Sequence, residues 1–201
     1  GHAIIAVDTS GENNILLYPG ANHKNTQEAI GAALSQANAG DWLLMQNETN
    51  NQSYAADMAK TLGLSVGYAA APFNAQAVQA VMGSLDLLIL NAVEAEQLHQ
   101  ATGQSPAQLP VRDIIVTLGA EGCLWYGIEG QQQFEAIAVE PVDTTGAGDT
   151  FTGYVLAGLD RGMPMAQAIS LGIKAAGLMV TRLGTADVIP DLKDLQDAQL
   201  I

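Results

Sequence analysis

Along the chain, short runs of apolar residues alternate with stretches whose apolar positions recur every three or four residues. The runs WLLMQ (42–46), LSVGYAA (64–70), DLLIL (86–90) and DIIVTLG (113–119) have strand length. WLLMQ reads as a buried strand, and the continuity of DIIVTLG predicts a strand covered on both faces. Between them TQEAIGAALSQA, SYAADMAKTLG, NAQAVQAVMGSL and AVEAEQLHQATG carry helical spacing, the last ending at Gly103 as a helix stop. Near the front, AIIAVD and NILLYP flank the turn-rich TSGEN and predict a hairpin over residues 3–18. GCLWYG and FEAIAVE read as alternating strands, and two further helices follow, the second over MAQAISLGIKAAGLMVTRLG. Alternating β and α units of this size predict an α/β fold, a doubly wound, mostly parallel sheet flanked by helices. No repeat, low-complexity tract or linker divides the 201 residues, so one domain over 1–201 is expected.

Composition narrows the function classes. The net charge is −14, with only seven Lys and Arg, which argues against a nucleic-acid-binding surface. No apolar run approaches the roughly 20 residues of a membrane span, and no secretion signal opens the chain. One cysteine, Cys123, excludes an internal disulfide framework and reads as a small buried hydrophobe in a reducing compartment. A cytoplasmic protein is expected. With so few cations, any anionic ligand has to be held by backbone N–H groups, helix N-termini and a metal ion. His2, His23 and His99 show no ligand spacing and read as surface residues, and Trp42 and Trp125 as packing in apolar strands. Arg182 reads equally as a phosphate contact or as half of a surface ion pair.

The densest chemistry lies in VDTTGAGDTFTGYVLAG (142–158). Gly146 and Gly148 lack Cβ atoms and let the backbone turn sharply against a ligand just where a helix begins. The N–H groups there, with the positive end of the helix, form an anion cradle. On spacing alone two roles for Asp149 stay open. It is a favourable charge in the first helical turn, or a base that takes a hydroxyl proton while adjacent amides stabilise a phosphoryl group in transit. A dinucleotide loop fits poorly: Pro141 breaks the preceding strand, the spacing is not G-x-G-x-x-G, and no acid stands about 20 residues on. No G-K-[ST] phosphate loop occurs in the chain.

DTTGAGDTFTG resembles the C-terminal signature of the ribokinase-type sugar kinases, the family that includes the phosphofructokinase-B type enzymes and adenosine kinase. NAVEAEQL is similar to that family's N-x-x-E segment, VTLGAEGCLW to its nucleotide loop, and VTRLGTADVIP to the segment after the last long helix. AIIAVDTSGENNILLYPGAN and LLMQNE look closest to the ribokinase branch. The likeness covers the whole chain but only the C-terminal two-thirds of a typical member. The chain opens on GHAIIAV without Met, and a longer native protein with a further sugar-binding segment is expected.

The resemblance implies ATP-dependent phosphorylation of a sugar, D-ribose at its 5-hydroxyl, with Asp149 as base and substrate contact and Gly146, Ala147 and Gly148 as the anion-hole amides. It implies that Asn91, Thr117 and Gly119 lie against ATP and that Glu94 holds Mg²⁺ through water. A potassium ion is implied at Asp143 and Thr145 with the carbonyls of Val180 and Leu183; Val188 brings no side-chain oxygen where the family often has Ser. Glu48 is implied as a sugar contact, although a solvated loop acid reads as well from the residues alone. The hairpin over 3–18 is implied to belong to a lid over the sugar, of the kind that pairs two subunits into a homodimer. A different sugar or nucleoside acceptor, or a nucleotide-binding module without catalysis, is the alternative; the presence of Asp149 favours the kinase.

Overall fold

The computed structural model describes residues 1–7 and 13–201. The chain falls into two compact units, Gly1–Leu85 and Asp86–Ile201.

In the first unit, β1 (His2–Val7) and β2 (Asn13–Tyr18) pair antiparallel, His2 opposite Tyr18 and Ile4 opposite Leu16. The TSGEN turn, Asn13 apart, lies outside the described residues. Next come α1 (Gln27–Leu34), β3 (Trp42–Gln46), α2 (Gln52–Thr61), β4 (Ser65–Ala69) and α3 (Ala75–Val81). Strands β3 and β4 are parallel, with Trp42 opposite Ser65. Thr26 and Asn74 start α1 and α3 by accepting the N–H of the residue three on, the ordinary N-cap bond. Val66, Tyr68, Val78 and three alanines of α2 are among the buried core residues of this unit.

In the second unit, β5 (Leu87–Asn91) and β6 (Asp113–Thr117) run parallel with α4 (Ala92–Thr102) between them in sequence. Four of the five residues in each strand are buried, as their unbroken apolar runs predict. Gly103 ends α4 at φ 72°, the expected stop. Strands β7 (Cys123–Gly127) and β8 (Gly130–Phe134) then add antiparallel at the edge. Asp113, buried at the start of β6, accepts from Trp125 Nε1 and Arg112 Nε, both at 2.9 Å, so its charge is paired. Helices α5 (Ala147–Asp160), α6 (Met165–Met179) and α7 (Leu192–Asp197) complete the unit. Phe151 and Val155 of α5 lie within 3.0 Å of where a Cβ on Gly172 of α6 would stand, so a bare backbone is what lets the two helices approach.

Three expectations need correction. WLLMQ forms a strand but not a buried one, since Met45 alone of β3 is buried and Leu44 is 42% exposed. FEAIAVE is not a strand: pairing ends at Phe134, opposite Cys123, the first residue of β7, and the chain beyond has no partner strand. Helix α6 stops at Met179 rather than running to Gly184. The Val180 carbonyl turns instead to the N–H groups of Val142 and Asp143, at 2.7 and 3.1 Å.

Candidate active site

The carboxyl ends of β5 and β6 bring the first predicted group together. Asn91 ends β5 directly opposite Thr117, which ends β6. Asn91 is also the N-cap of α4. Its Oδ1 accepts the Glu94 N–H at 2.8 Å, and Glu94 Oε2 accepts the Asn91 N–H at 2.8 Å. This reciprocal capping box fixes the Glu94 carboxylate over the end of the strand. The chain after Thr117 turns at once, with the Leu118 N–H bonded to the Gly122 carbonyl at 2.8 Å, and places Gly119 in that turn.

The second group is the start of α5. Gly146 is the N-cap at φ 83°, a conformation only glycine adopts without strain. A Cβ there would also stand 2.9 Å from Met179 Cε. Ala147, Gly148 and Asp149 are the first three helical residues, and Asp149 is exposed. The first N–H groups of a helix have no partner within it. Here the Ala147 N–H turns back onto the Thr144 carbonyl at 3.2 Å, the long end of the hydrogen-bond range, where an anion would compete for it. Part of each group borders one cavity of about 350 Å³, lined by Thr117, Gly119, Thr144, Ala147 and Gly148 together with apolar residues of 136–141 and of α6; Asn91, Glu94, Gly146 and Asp149 are not among its lining residues.

A third cluster flanks the cradle. Asp143 Oδ1 accepts the Thr145 N–H at 2.9 Å and Oδ2 accepts the Gly184 N–H at 3.4 Å. These bonds, those from the Thr145 amide and hydroxyl first, hold the Asp143 carboxyl below its ordinary range. Since the Val180 carbonyl already accepts two N–H groups, an ion there has to displace one of them. Leu183 is 78% exposed, and Val188 lies three residues beyond Thr185 in a short 3-10 turn. Arg182 binds Asp194 at 3.1 Å and the Val188 carbonyl at 3.2 Å, so the ion-pair reading of Arg182 holds. Tyr154, on α5, donates to the Pro190 carbonyl and ties down the same loop.

Among the described residues, no three His, Cys, Asp or Glu side chains gather into a metal cage. The donor set suits a magnesium ion that keeps its water and takes phosphate oxygens, with one carboxylate behind it. Glu94 fits that part, since its bond to Asn91 uses one of a carboxylate's roughly four acceptor sites.

In the first unit, Glu48 is exposed in the turn after β3 and borders another cavity of about 350 Å³. His2 and Tyr18 of the hairpin, His23 and Asn47 share that lining. Nothing in the residue spacing points to this grouping. His2 and His23 are 21 positions apart, and only the β1–β2 pairing sets His2 against Tyr18, with ring centroids 5.0 Å apart.

A sequence model described as pfkB family carbohydrate kinase matches residues 1–192. The chain belongs to that family. The resemblance read from DTTGAGDTFTG is therefore borne out. Haemophilus influenzae ribokinase is 33% identical over 203 residues, covering 94% of this chain and 66% of the relative. The ribokinase structure from Thermotoga maritima superposes with a TM-score of 0.83 at 32% identity, over 97% of this chain and 68% of its own. Arabidopsis thaliana ribokinase, solved in complex with ribose and ATP, gives a TM-score of 0.79 at 25% identity, over 98% and 68%. This likeness carries the expected fold class, a mostly parallel sheet flanked by helices. The chain spans about two-thirds of the length of these relatives. Among the described residues, no helix is long and apolar enough to cross a membrane.

Proposed function

We propose that this carbohydrate kinase transfers the terminal phosphoryl group of ATP to D-ribose at its 5-hydroxyl. The observation that carries the reading is the shared cavity. Ala147 and Gly148 at the start of α5 line the same space as Thr117 and Gly119 at the end of β6, and the acid Asp149 is the next helical residue. Phosphoryl transfer requires that combination: a base for the hydroxyl proton, and donors around the phosphoryl oxygens where charge develops.

In this reading Asp149 takes the proton as the hydroxyl oxygen attacks the terminal phosphorus, and the bond to the leaving ADP breaks. The amides of Gly146, Ala147 and Gly148 hold the transferring oxygens, aided by the positive end of α5. Asn91, Thr117 and Gly119 keep the phosphates in line. Magnesium, held through water by Glu94, would neutralise phosphate charge. Potassium, at Asp143 and Thr145 beside the Leu183 and Val180 carbonyls, would add positive potential next to the cradle. Glu48 contacts the sugar, and the β1–β2 hairpin covers it and pairs with the hairpin of a second copy. The support is that Glu48, His2 and Tyr18 line one cavity. The compartment proposed is the cytoplasm.

The experiment is sugar-dependent ADP formation by the protein carrying this chain, with Mg²⁺, with and without K⁺, over a panel of sugars and nucleosides. Ribose is expected to give the highest kcat/KM. A deoxyribokinase of Salmonella typhi is also 26% identical over 209 residues, so a preference for deoxyribose is the specific rival outcome. Asp149→Asn is expected to lower kcat by at least about 10²-fold, within the range for loss of a general base, while ATP binding stays. Unchanged turnover in that variant removes the base assignment. Nucleotide binding without turnover of any acceptor favours the non-catalytic module.

A further inference from the structure

The cavity beside α5 is lined mostly by apolar side chains. Among the described residues that line it, only Thr117 and Thr144 carry side-chain hydrogen-bonding groups. The other walls include Ile137, Val139, Phe151, Ile173 and the bare backbone of Gly177. The wall is closely packed: a Cβ on Gly177 would stand 2.4 Å from Ile137 Cγ1. With the phosphates at the α5 start, the base of a nucleotide held in this cavity would meet mostly apolar side chains. Adenine and guanine differ at their polar edges, adenine offering an exocyclic donor where guanine offers a carbonyl acceptor. Their ring faces bury against aliphatic carbon alike. A pocket that reads polar groups by hydrogen bonds discriminates by about 10⁴–10⁵-fold, whereas an apolar pocket reaches only about 10–200-fold.

We propose that the phosphoryl donor is a purine nucleoside triphosphate taken without strong selection by its base, so that GTP serves beside ATP. The inference rests on the kinase reading above and deepens it at the donor site. Nothing in the lining side chains distinguishes the two purines; phosphate contacts supply the orientation and aliphatic burial holds the base.

The test is kcat/KM for ATP and for GTP at saturating ribose and Mg²⁺, alongside calorimetric titration with ADP and with GDP. The expected result is a ratio between the two donors below about 10²-fold, inside the range of an apolar pocket. A larger ratio overturns the proposal and assigns base readout to main-chain groups of residues 136–141. If neither donor phosphorylates any sugar, the kinase reading fails, and the titrations still decide the base. ADP and GDP dissociation constants within the same factor support an unselective pocket, and a wider gap overturns it.

Discussion

Asp143 ties two turns together, one oxygen taking the Thr145 N–H just before the cradle and the other the Gly184 N–H after α6. Both bonds need the ionised carboxylate as acceptor, which is why the pKa is depressed. A depressed carboxyl stabilises the fold fully above its unfolded value of about 4 and ceases to do so as the pH falls through the lower folded value. Asp143→Asn is therefore expected to lower the Tm by a constant margin from pH 8 to pH 5, and the margin should shrink below pH 4. Thermal unfolding of both proteins across that range checks it. A margin that instead changes between pH 6 and 8, or persists unchanged at pH 3, would show that the charge of Asp143 is not what holds the turns.

At the scale of elements, the start of α4 combines a structural and a proposed chemical task in two side chains. Asn91→Ala removes the cap and is expected to cost about 1 kcal/mol. Glu94→Gln keeps an acceptor for the Asn91 N–H, and Gln serves at that position of a capping box. Its stability loss should stay below about 1 kcal/mol, the size of the helix-dipole contribution. If Glu94 anchors the magnesium water shell, Glu94→Gln raises the Mg²⁺ concentration for half-maximal rate while urea unfolding hardly moves; an unchanged Mg²⁺ dependence assigns Glu94 to capping alone. The same contrast explains what the sequence made legible. Buried strands such as β5 and β6 announce themselves by continuous apolar runs, and the α5 start by a glycine step followed by an acid. Strand β8 does not, because residues 130–133 are exposed and its Gln residues carry no alternation. The apolar residues just after it, 136–139, read as a strand in the sequence, yet they line the cavity and pair with no strand of this unit. Helix α7 hides behind its brevity, although Asp191 and Asp194 cap it reciprocally.

The whole molecule presents an acidic surface and an uncovered hairpin. Register places His2, Ile4, Leu16 and Tyr18 on one face of β1–β2, and Ile4, Leu16 and Tyr18 are each 59–65% exposed. An apolar ladder of this kind on a two-stranded ribbon is marginal alone, and the proposed occupant is the hairpin of a second copy. Two copies each carrying a net charge of −14 repel at long range, and salt screens that repulsion beyond about 8–10 Å. Dimerisation driven by the hairpin should therefore tighten as ionic strength rises, opposite to an association held by ion pairs. Burying a Leu side chain is worth about 1.5–3 kcal/mol, and in a symmetric dimer the contact occurs twice. Leu16→Asp is then expected to weaken the dimer more than about a hundredfold, while the second unit's nucleotide affinity, remote in sequence from the hairpin, stays as it was. Sedimentation equilibrium at low and high salt measures both effects. A dimer that loosens with salt, or one indifferent to Leu16→Asp, would place the subunit contact elsewhere, and a monomer at every concentration would leave the hairpin as a lid without a partner.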